Sequence, residues 1–159
     1  MVHIYNSMTN NNNSQLIDPE KYEVFILRCP AHVPFSFAIH PWFVCNEKGK
    51  VSRWEVLFRA NKDETWGFLH QNHYPPFSGI EIFPFLARWH WQSSLLKKVE
   101  GETARKMIDF IKMSKENYPY VQSYASSGIN SNTYAQWVLN HFPEVEAKLP
   151  WNAIGKNAK

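Results

Sequence analysis

Apolar residues in the first half of the chain follow the spacing of β-strands. A short apolar run predicts one strand at 24–28, and alternating apolar and polar positions predict a longer strand at 35–45. The polar segment 46–50 is typical of a turn, so 35–45 and 51–60 are expected to form a hairpin. A further strand is predicted within 65–69.

The predicted hairpin sorts side chains onto two faces, because successive residues of a strand point in opposite directions. In the first arm Ile39 shares a face with Phe35, whereas His40 points the other way. In the second arm Trp54 and Glu55 likewise point to opposite faces. Glu55, on the paired strand, could face the same side of the hairpin as His40.

The second half of the chain has helical spacing. Apolar residues recur every three or four positions within 102–116, and that helix is expected to end at Tyr118, which precedes a proline. A second helix is predicted over 131–142 with Pro143 as its stop. Segment 74–85 contains three prolines and predicts a loop or a broken segment. Strands followed by helices predict an α+β fold, with an antiparallel sheet and helices packed on one face.

The chain is expected to hold one domain at 20–155, with a short tail at 156–159. Residues 1–19 predict a flexible leader, since the Asn-rich stretch at 6–15 offers almost nothing to bury. A length of 159 residues suffices for a core without a metal or disulfide staple. An aromatic content of 16% excludes a chain that is disordered throughout.

Charge and histidine spacing exclude several kinds of function. A net charge of +3, with 19% charged residues, is too mild for a phosphate-binding footprint, so no nucleic-acid partner is expected. The basic, aromatic segment 88–91 is better explained by core packing. His70 and His73 lack a third ligand at suitable spacing, so neither a metal nor another cofactor is expected. Without a signal peptide or a membrane-spanning apolar run, the expected location is the cytoplasm.

The segment SSGINSNTY at 126–134 carries the most specific local signal. Its Gly and Asn residues predict a tight turn, and the second helix begins directly after it. A nucleophile at Ser131 would meet unpaired backbone N–H groups and the positive end of the helix dipole, which stabilise a developing oxyanion. Asn, Ser and Thr are also the preferred N-cap residues, and from the residues alone capping is the favoured interpretation.

His40 is the natural base for a nucleophile at Ser131, although a lone strand histidine is more often a hydrogen-bonded structural residue. Glu55 would orient the imidazole, since a general base needs a third group to fix its tautomer. The plainer interpretation of Glu55 is an exposed carboxylate paired with Arg53 or Arg59, and the residues alone favour it.

Several short motifs, in the same order, resemble a bacterial family known as domain of unknown function 3750. Its members carry Tyr-Pro-Tyr, Asn-Ser-Asn-Thr-Phe, Pro-Glu-Leu and Ala-Ile-Gly-Lys, and this chain has YPYVQSYASSGINSNTY at 118–134 and PEVEAKLPWNAIGKN at 143–157. In the N-terminal half, HPW at 40–42 is similar to a His-Thr-Trp of the family, and WEV at 54–56 also agrees. Together the matches cover most of 24–157.

A more distant likeness implies a mechanism. NSNTY at 130–134 is similar to Asn-Cys-Asn-Thr-Phe of PPPDE peptidases and to Asn-Cys-Glu-His-Phe of lecithin retinol acyltransferase-like enzymes. Those enzymes have circularly permuted papain-like (NlpC-type) folds, in which a strand histidine precedes a nucleophile at a helix N-terminus. The resemblance implies the same fold here, with Ser131 as the nucleophile, His40 as the base and Glu55 as the orienting residue.

Serine in place of the papain-like cysteine leaves two functions open. The first is a serine-dependent hydrolase or acyltransferase acting on an amide, ester or thioester bond. The second is a catalytically inactive papain-like module that binds a peptide, lipid or glycan. For the first, the expected partner is a small-molecule, peptide or lipid substrate held in a cleft. The residues expected to bind the oxyanion or the ligand are Asn130, Asn132, Trp42 and Tyr124.

Overall fold

One antiparallel sheet organises the part of the chain that the structure, a computed structural model, describes: residues 16–61, 66–84 and 86–159. The strands there are β1 (Tyr22–Pro30), β2 (Ile39–Glu47), β3 (Lys50–Val56), β4 (Leu69–Gln71), β5 (Ser78–Glu81), β6 (His90–Gln92) and β7 (Ser94–Glu100). The main sheet has the order β4-β3-β2-β1-β7, and its neighbours are antiparallel. Strands β5 and β6 pair separately.

The helices follow the sheet in the chain. They are α1 (Gly101–Lys112), α2 (Ser114–Asn117) and α3 (Ser131–His141), followed by a 3₁₀ turn at Pro143–Val145. Helix α1 packs on β1 and β7, and α3 packs on β2 and β3. Each buries its apolar stripe there, as expected for an amphipathic helix on a sheet. Of the helices in the described ranges, none has the length and apolar character that crossing a membrane requires.

Each face of the sheet buries its own core. On one face, side chains such as Phe43 of β2 and Trp54 of β3 pack against the helices. On the other face, Trp42 and its neighbours pack with Tyr74 and Ile80, from the segment around β5. A fully buried side chain of this size stabilises the fold by about 1.5–3 kcal/mol. The α+β architecture with helices on one face is confirmed, and the sequence did not predict the cover on the opposite face.

The predicted hairpin is confirmed by the pairing of β2 with β3, but both arms are shorter than expected at their open end. The first arm starts at Ile39 and the second ends at Val56. Residues 31–38 form successive turns instead of a strand, which leaves Phe35 and Phe37 53% and 63% exposed. The predicted placement of these two side chains on a strand face is therefore wrong, and the loop becomes one wall of the cavity described below.

Other boundaries also differ from the predictions. The strand expected at 65–69 is wrong in its position, because residues 66–68 form a turn and β4 begins only at Leu69. Residue 65 lies outside the described residues. Segment 74–85 contains β5, while residue 85 is not described. The helix predicted at 102–116 is divided at Met113 into α1 and α2.

Strand β7 was not predicted from the sequence, and the core-packing interpretation of segment 88–91 is wrong for Trp89, which is 59% exposed. On β7, Nζ of Lys98 is 2.6 Å from Oε1 of the buried Glu23. Most of the predicted leader, residues 1–15, lies outside the described residues. Asp18 contacts the domain, since its carbonyl accepts a hydrogen bond from Nδ2 of the buried Asn46 at 2.7 Å.

Candidate active site

A cavity of about 400 Å³ lies where β2 begins and α3 begins. Its walls come from the loop at 31–38, the end of β3, the turn at 124–127 and the first residues of α3. His40 and Ser131 both line it, although they are far apart in the chain. The fold therefore brings the two residues predicted as base and nucleophile to one cavity.

The start of α3 is a complete capping box. The Oδ1 atom of Asn130 accepts a hydrogen bond from the Asn132 N–H at 2.9 Å, and Oγ1 of Thr133 accepts one from the Asn130 N–H at 3.0 Å. The capping interpretation is thus confirmed for Asn130 and Thr133. Ser131 is the first residue of the helix, and within the described ranges its hydroxyl has no hydrogen-bond partner. Capping therefore leaves this hydroxyl unused.

The start of α3 is hydrogen-bonded to the C-terminal segment of the chain. Oγ1 of Thr133 donates to the Gly155 carbonyl at 2.7 Å, and Nδ2 of Asn130 donates to the Ile154 carbonyl at 3.1 Å. Gly155 has φ +86°, and a Cβ there would lie 2.1 Å from the Gly128 carbonyl oxygen. The Ala-Ile-Gly-Lys motif therefore supports the site through close backbone approach, a role that the sequence did not reveal.

Asn132 joins the helix start to the strand that carries the histidine. Its Nδ2 donates to the carbonyls of Ile39 at 3.1 Å and Ile154 at 2.9 Å. Because Ile39 precedes His40 and Asn132 follows Ser131, this one amide links the neighbours of the two candidate residues. The Nδ2 groups of Asn130 and Asn132 are both engaged with carbonyls. Neither side chain therefore has a free amide hydrogen for its predicted role as an oxyanion donor.

Glu55 lies on β3 and contacts the imidazole directly. Its Oε2 is 2.8 Å from Nε2 of His40. Arg53 binds the same carboxylate at two points, with Nη2 at 2.8 Å from Oε2 and Nε at 2.7 Å from Oε1. Glu55 and Arg53 are fully buried and His40 is 6% exposed. The interpretation of Glu55 as an exposed carboxylate is wrong, whereas its pairing with Arg53 is correct.

The charge of Glu55 selects which ring nitrogen of a neutral His40 carries the proton. Burial by itself raises the pKa of this carboxyl, but the Arg53 charge and the His40 hydrogen bond outweigh burial and hold the pKa at about 2. Glu55 is therefore ionised at neutral pH and accepts the proton of Nε2. A neutral His40 held in this way keeps Nδ1 unprotonated, which is the form that a general base requires.

Of the two aromatic residues predicted to bind a ligand, Trp42 is buried behind His40 and Tyr124 lines the cavity. Trp42 is fully buried, and its Nε1 donates to the Pro76 carbonyl at 2.9 Å. Its ring stacks with His40 at a centroid distance of 6.0 Å, and the Arg53 guanidinium lies 4.3 Å from the same ring. Trp42 thus supports the His40–Glu55–Arg53 group from behind. Tyr124 lines the cavity, and burial raises the pKa of its hydroxyl.

His70 forms a hydrogen bond to the backbone, and its ring contacts that of His73. Nε2 of His70 donates to the Arg59 carbonyl at 2.8 Å, and the His70 and His73 rings meet edge to face at 5.1 Å. Across residues 16–61, 66–84 and 86–159, no three His, Cys, Asp or Glu side chains are grouped as a metal site would need.

Arg53 and the 154–155 segment were missed as parts of the site. Arg53 had a signal in the sequence, since it stands two residues from Glu55 on one strand and so shares its face. The signal for Ile154 and Gly155 was their place in a family motif, which gives no indication of what they contact.

Comparison with known proteins adds a family and no activity. A family model with the description "Protein of unknown function (DUF3750)" matches residues 22–158. Comparison with curated proteins and with solved structures finds no significant match. The matched range contains the cavity, His40, Glu55 and the start of α3, so these features lie within the family's shared region.

Proposed function

Since the chain belongs to the DUF3750 family, we propose from its site that it is a serine-dependent hydrolase or acyltransferase that cleaves an amide, ester or thioester bond. The observation that carries the proposal is the buried Glu55–His40 hydrogen bond beside a cavity that Ser131 also lines. A buried carboxylate that fixes a histidine tautomer, in a cavity that also holds an unpartnered serine hydroxyl, supplies the groups of an activated serine.

The reaction that this arrangement supports proceeds in two steps. Ser131 Oγ attacks the carbonyl carbon while Nδ1 of His40 takes the hydroxyl proton, and that proton then goes to the leaving amine, alcohol or thiol as its bond to carbon breaks. Water or an acceptor alcohol next attacks the acyl-serine and loses its proton to His40. That proton then goes to Ser131 Oγ as the bond between Oγ and the acyl carbon breaks, which releases the acid or the new ester. The Ser131 N–H lies at the helix start, where it would stabilise the oxyanion.

We further propose that the architecture is a circularly permuted papain-like one. The support is the arrangement of three elements: a histidine on a strand of an antiparallel sheet, a carboxylate on the neighbouring strand and a later helix with the nucleophile at its N-terminus. In that comparison Ser131 occupies the position of the thiol. Serine is a much weaker acid than cysteine, so the proposal requires His40 to remove its proton during attack.

One observation favours the second function, an inactive binding module on the same fold. Within the described residues, the Ser131 hydroxyl makes no hydrogen bond to His40. If the two groups stay apart when a ligand is bound, the cavity holds that ligand without reacting.

Ester hydrolysis distinguishes the two functions. We expect the protein to release p-nitrophenol from p-nitrophenyl esters, and Ser131→Ala and His40→Ala to lower kcat/KM at least about 10³-fold. Ser123→Ala is the matched control, because Ser123 is exposed on the preceding segment and does not line the cavity. Its rate should equal that of the unaltered protein. Hydrolysis that persists in Ser131→Ala, or no hydrolysis by the unaltered protein, would contradict the catalytic proposal.

A further inference from the structure

The described residues that line the cavity include no Lys, Arg, Asp or Glu. A glycan or a charged peptide would find few polar partners among the lining residues outside the segment at 126–132, and burying unpaired polar groups is costly. The walls therefore select against strongly polar ligands.

Apolar side chains form a large part of the cavity wall. Leu57, Phe58, Ile80 and Val33 belong to this wall. His32 also belongs to this wall, but its Nδ1 donates to the Glu81 carbonyl at 2.6 Å, and its ring packs edge to face on Phe58 at 5.3 Å. Burial lowers the pKa of His32, so the wall stays uncharged at neutral pH.

Polar groups of the lining come from the segment around the start of α3. Ser126, Ser127 and Asn130 through Asn132 come from the turn and the first residues of α3. The reactive groups Ser131 and His40 are part of the same lining. The cavity is therefore amphipathic, with hydroxyl and amide groups from the helix start and apolar side chains from the loop at 31–38, the end of β3 and β5.

The rim continues the apolar wall toward solvent. Phe35 and Phe37 line the cavity, are more than half exposed and have ring centroids 6.4 Å apart. Exposed aromatic side chains at the mouth of an apolar cavity are a feature of sites that bind apolar ligands. No contact inside the described chain requires these two rings to be aromatic beyond their contact with each other.

From these walls we infer that the ligand is an uncharged aliphatic acyl group, with its carbonyl at Ser131 and its hydrocarbon chain along Leu57, Phe58 and the Phe35–Phe37 rim. The inference rests on the proposed function for the position of the carbonyl. It narrows the substrate from any amide, ester or thioester to those with a linear apolar acyl chain.

Amide binding to the Ser131→Ala protein tests this inference without turnover. Decanamide and butanamide share a head group and differ by six methylenes, each of which strengthens binding by about 4-fold when fully buried. We expect decanamide to bind at least about 100-fold more tightly by equilibrium dialysis. Equal affinities for the two amides would overturn the inference.

Substitutions at the two rim residues test where the hydrocarbon chain of the ligand lies. In the Ser131→Ala background, Phe37→Asp should weaken decanamide binding at least about 10-fold, because it places a charge beside the hydrocarbon. Leu95→Asp is the matched control, since Leu95 is 52% exposed on β7 and does not line the cavity. Phe35→Asp provides a second rim variant if Phe37→Asp fails to fold by circular dichroism. Equal decanamide affinities in the folded rim variant and Leu95→Asp would contradict the placement.

The two proposals fail in different ways. Tight decanamide binding combined with no ester hydrolysis by the unaltered protein would contradict the catalytic proposal and support the acyl-chain site. Ser131-dependent hydrolysis combined with equal binding of the two amides would support the enzyme and overturn the acyl-chain inference.

Discussion

Replacing Glu55 by Gln tests the buried charge group that orients His40. The substitution keeps the size of the side chain but removes the negative charge that Arg53 contacts at 2.7 and 2.8 Å. Arg53 is fully buried, so its guanidinium would remain without a counter-charge. Breaking a buried ion pair by removing one partner typically costs about 3–5 kcal/mol.

The pKa of Glu55 gives an independent magnitude. It is held at about 2, compared with 4.5 for a free glutamate. Since each pKa unit corresponds to about 1.4 kcal/mol, the folded state gains about 3 kcal/mol from ionised Glu55. Because the pKa is lowered on folding, this stabilisation is fully present above pH 4.5 and is lost as the pH falls toward 2.

Urea denaturation followed by tryptophan fluorescence measures the effect. At pH 7 we expect Glu55→Gln to lower the free energy of unfolding by about 3–5 kcal/mol. The difference from the unaltered protein should shrink as the pH falls from 4.5 toward 2. Glu102→Gln is the matched control, because Glu102 also pairs with an arginine, Arg105, at 2.7 Å but at an exposed site. Its urea midpoint should not change, since solvent screens such pairs.

Two results would refute the reasoning about Glu55. The first is a urea midpoint for Glu55→Gln equal to that of Glu102→Gln. The second is a difference from the unaltered protein that stays constant from pH 7 down to pH 2. Either would mean that the Glu55 charge does not contribute to the folded state as the Arg53 and His40 contacts require.

Two further substitutions test the support around the start of α3. Gly155→Ala should destabilise the fold by at least about 2 kcal/mol, because the added Cβ would meet the Gly128 carbonyl oxygen. Gly101→Ala is the control: Gly101 has φ +73° but open space around it, so the substitution should cost only about 1 kcal/mol. Equal shifts of the thermal unfolding midpoint in the two variants would contradict this expectation. Asn130→Ala should cost about 1–2 kcal/mol through the lost cap, measured by urea denaturation, whereas an unchanged midpoint would show that the cap is dispensable.

Local sequence patterns predicted the helix start and the hairpin, whereas the surroundings of the candidate site depend on contacts between residues distant in the chain. The helix start at Ser131 was predictable, because Asn130 and Thr133 provide an N-cap pattern within four residues. Alternation also allowed His40 and Glu55 to share one face of the hairpin. Burial of Glu55 was not predictable, since it depends on Arg53 being covered by Trp42 and by carbonyls from the segment around β5.

The loop at 31–38 shows where alternation misleads. Phe35 and Phe37 have the spacing of a strand, yet they line a cavity mouth and not a sheet face. Apolar residues on a ligand-binding loop give the same pattern as apolar residues in a core. The role of Gly155 was hidden for a different reason, because its close approach to Gly128 joins segments that are distant in the chain.

Mapping a fluorophosphonate adduct tests the proposed nucleophile most directly. The unaltered protein, His40→Ala and Ser123→Ala are incubated with the reagent, and the labelled residue is identified by peptide mass spectrometry. We predict an adduct on Ser131 in the unaltered protein and in Ser123→Ala, with labelling strongly reduced in His40→Ala. No adduct on Ser131, or equal labelling of Ser131 in His40→Ala, would contradict a serine that His40 activates.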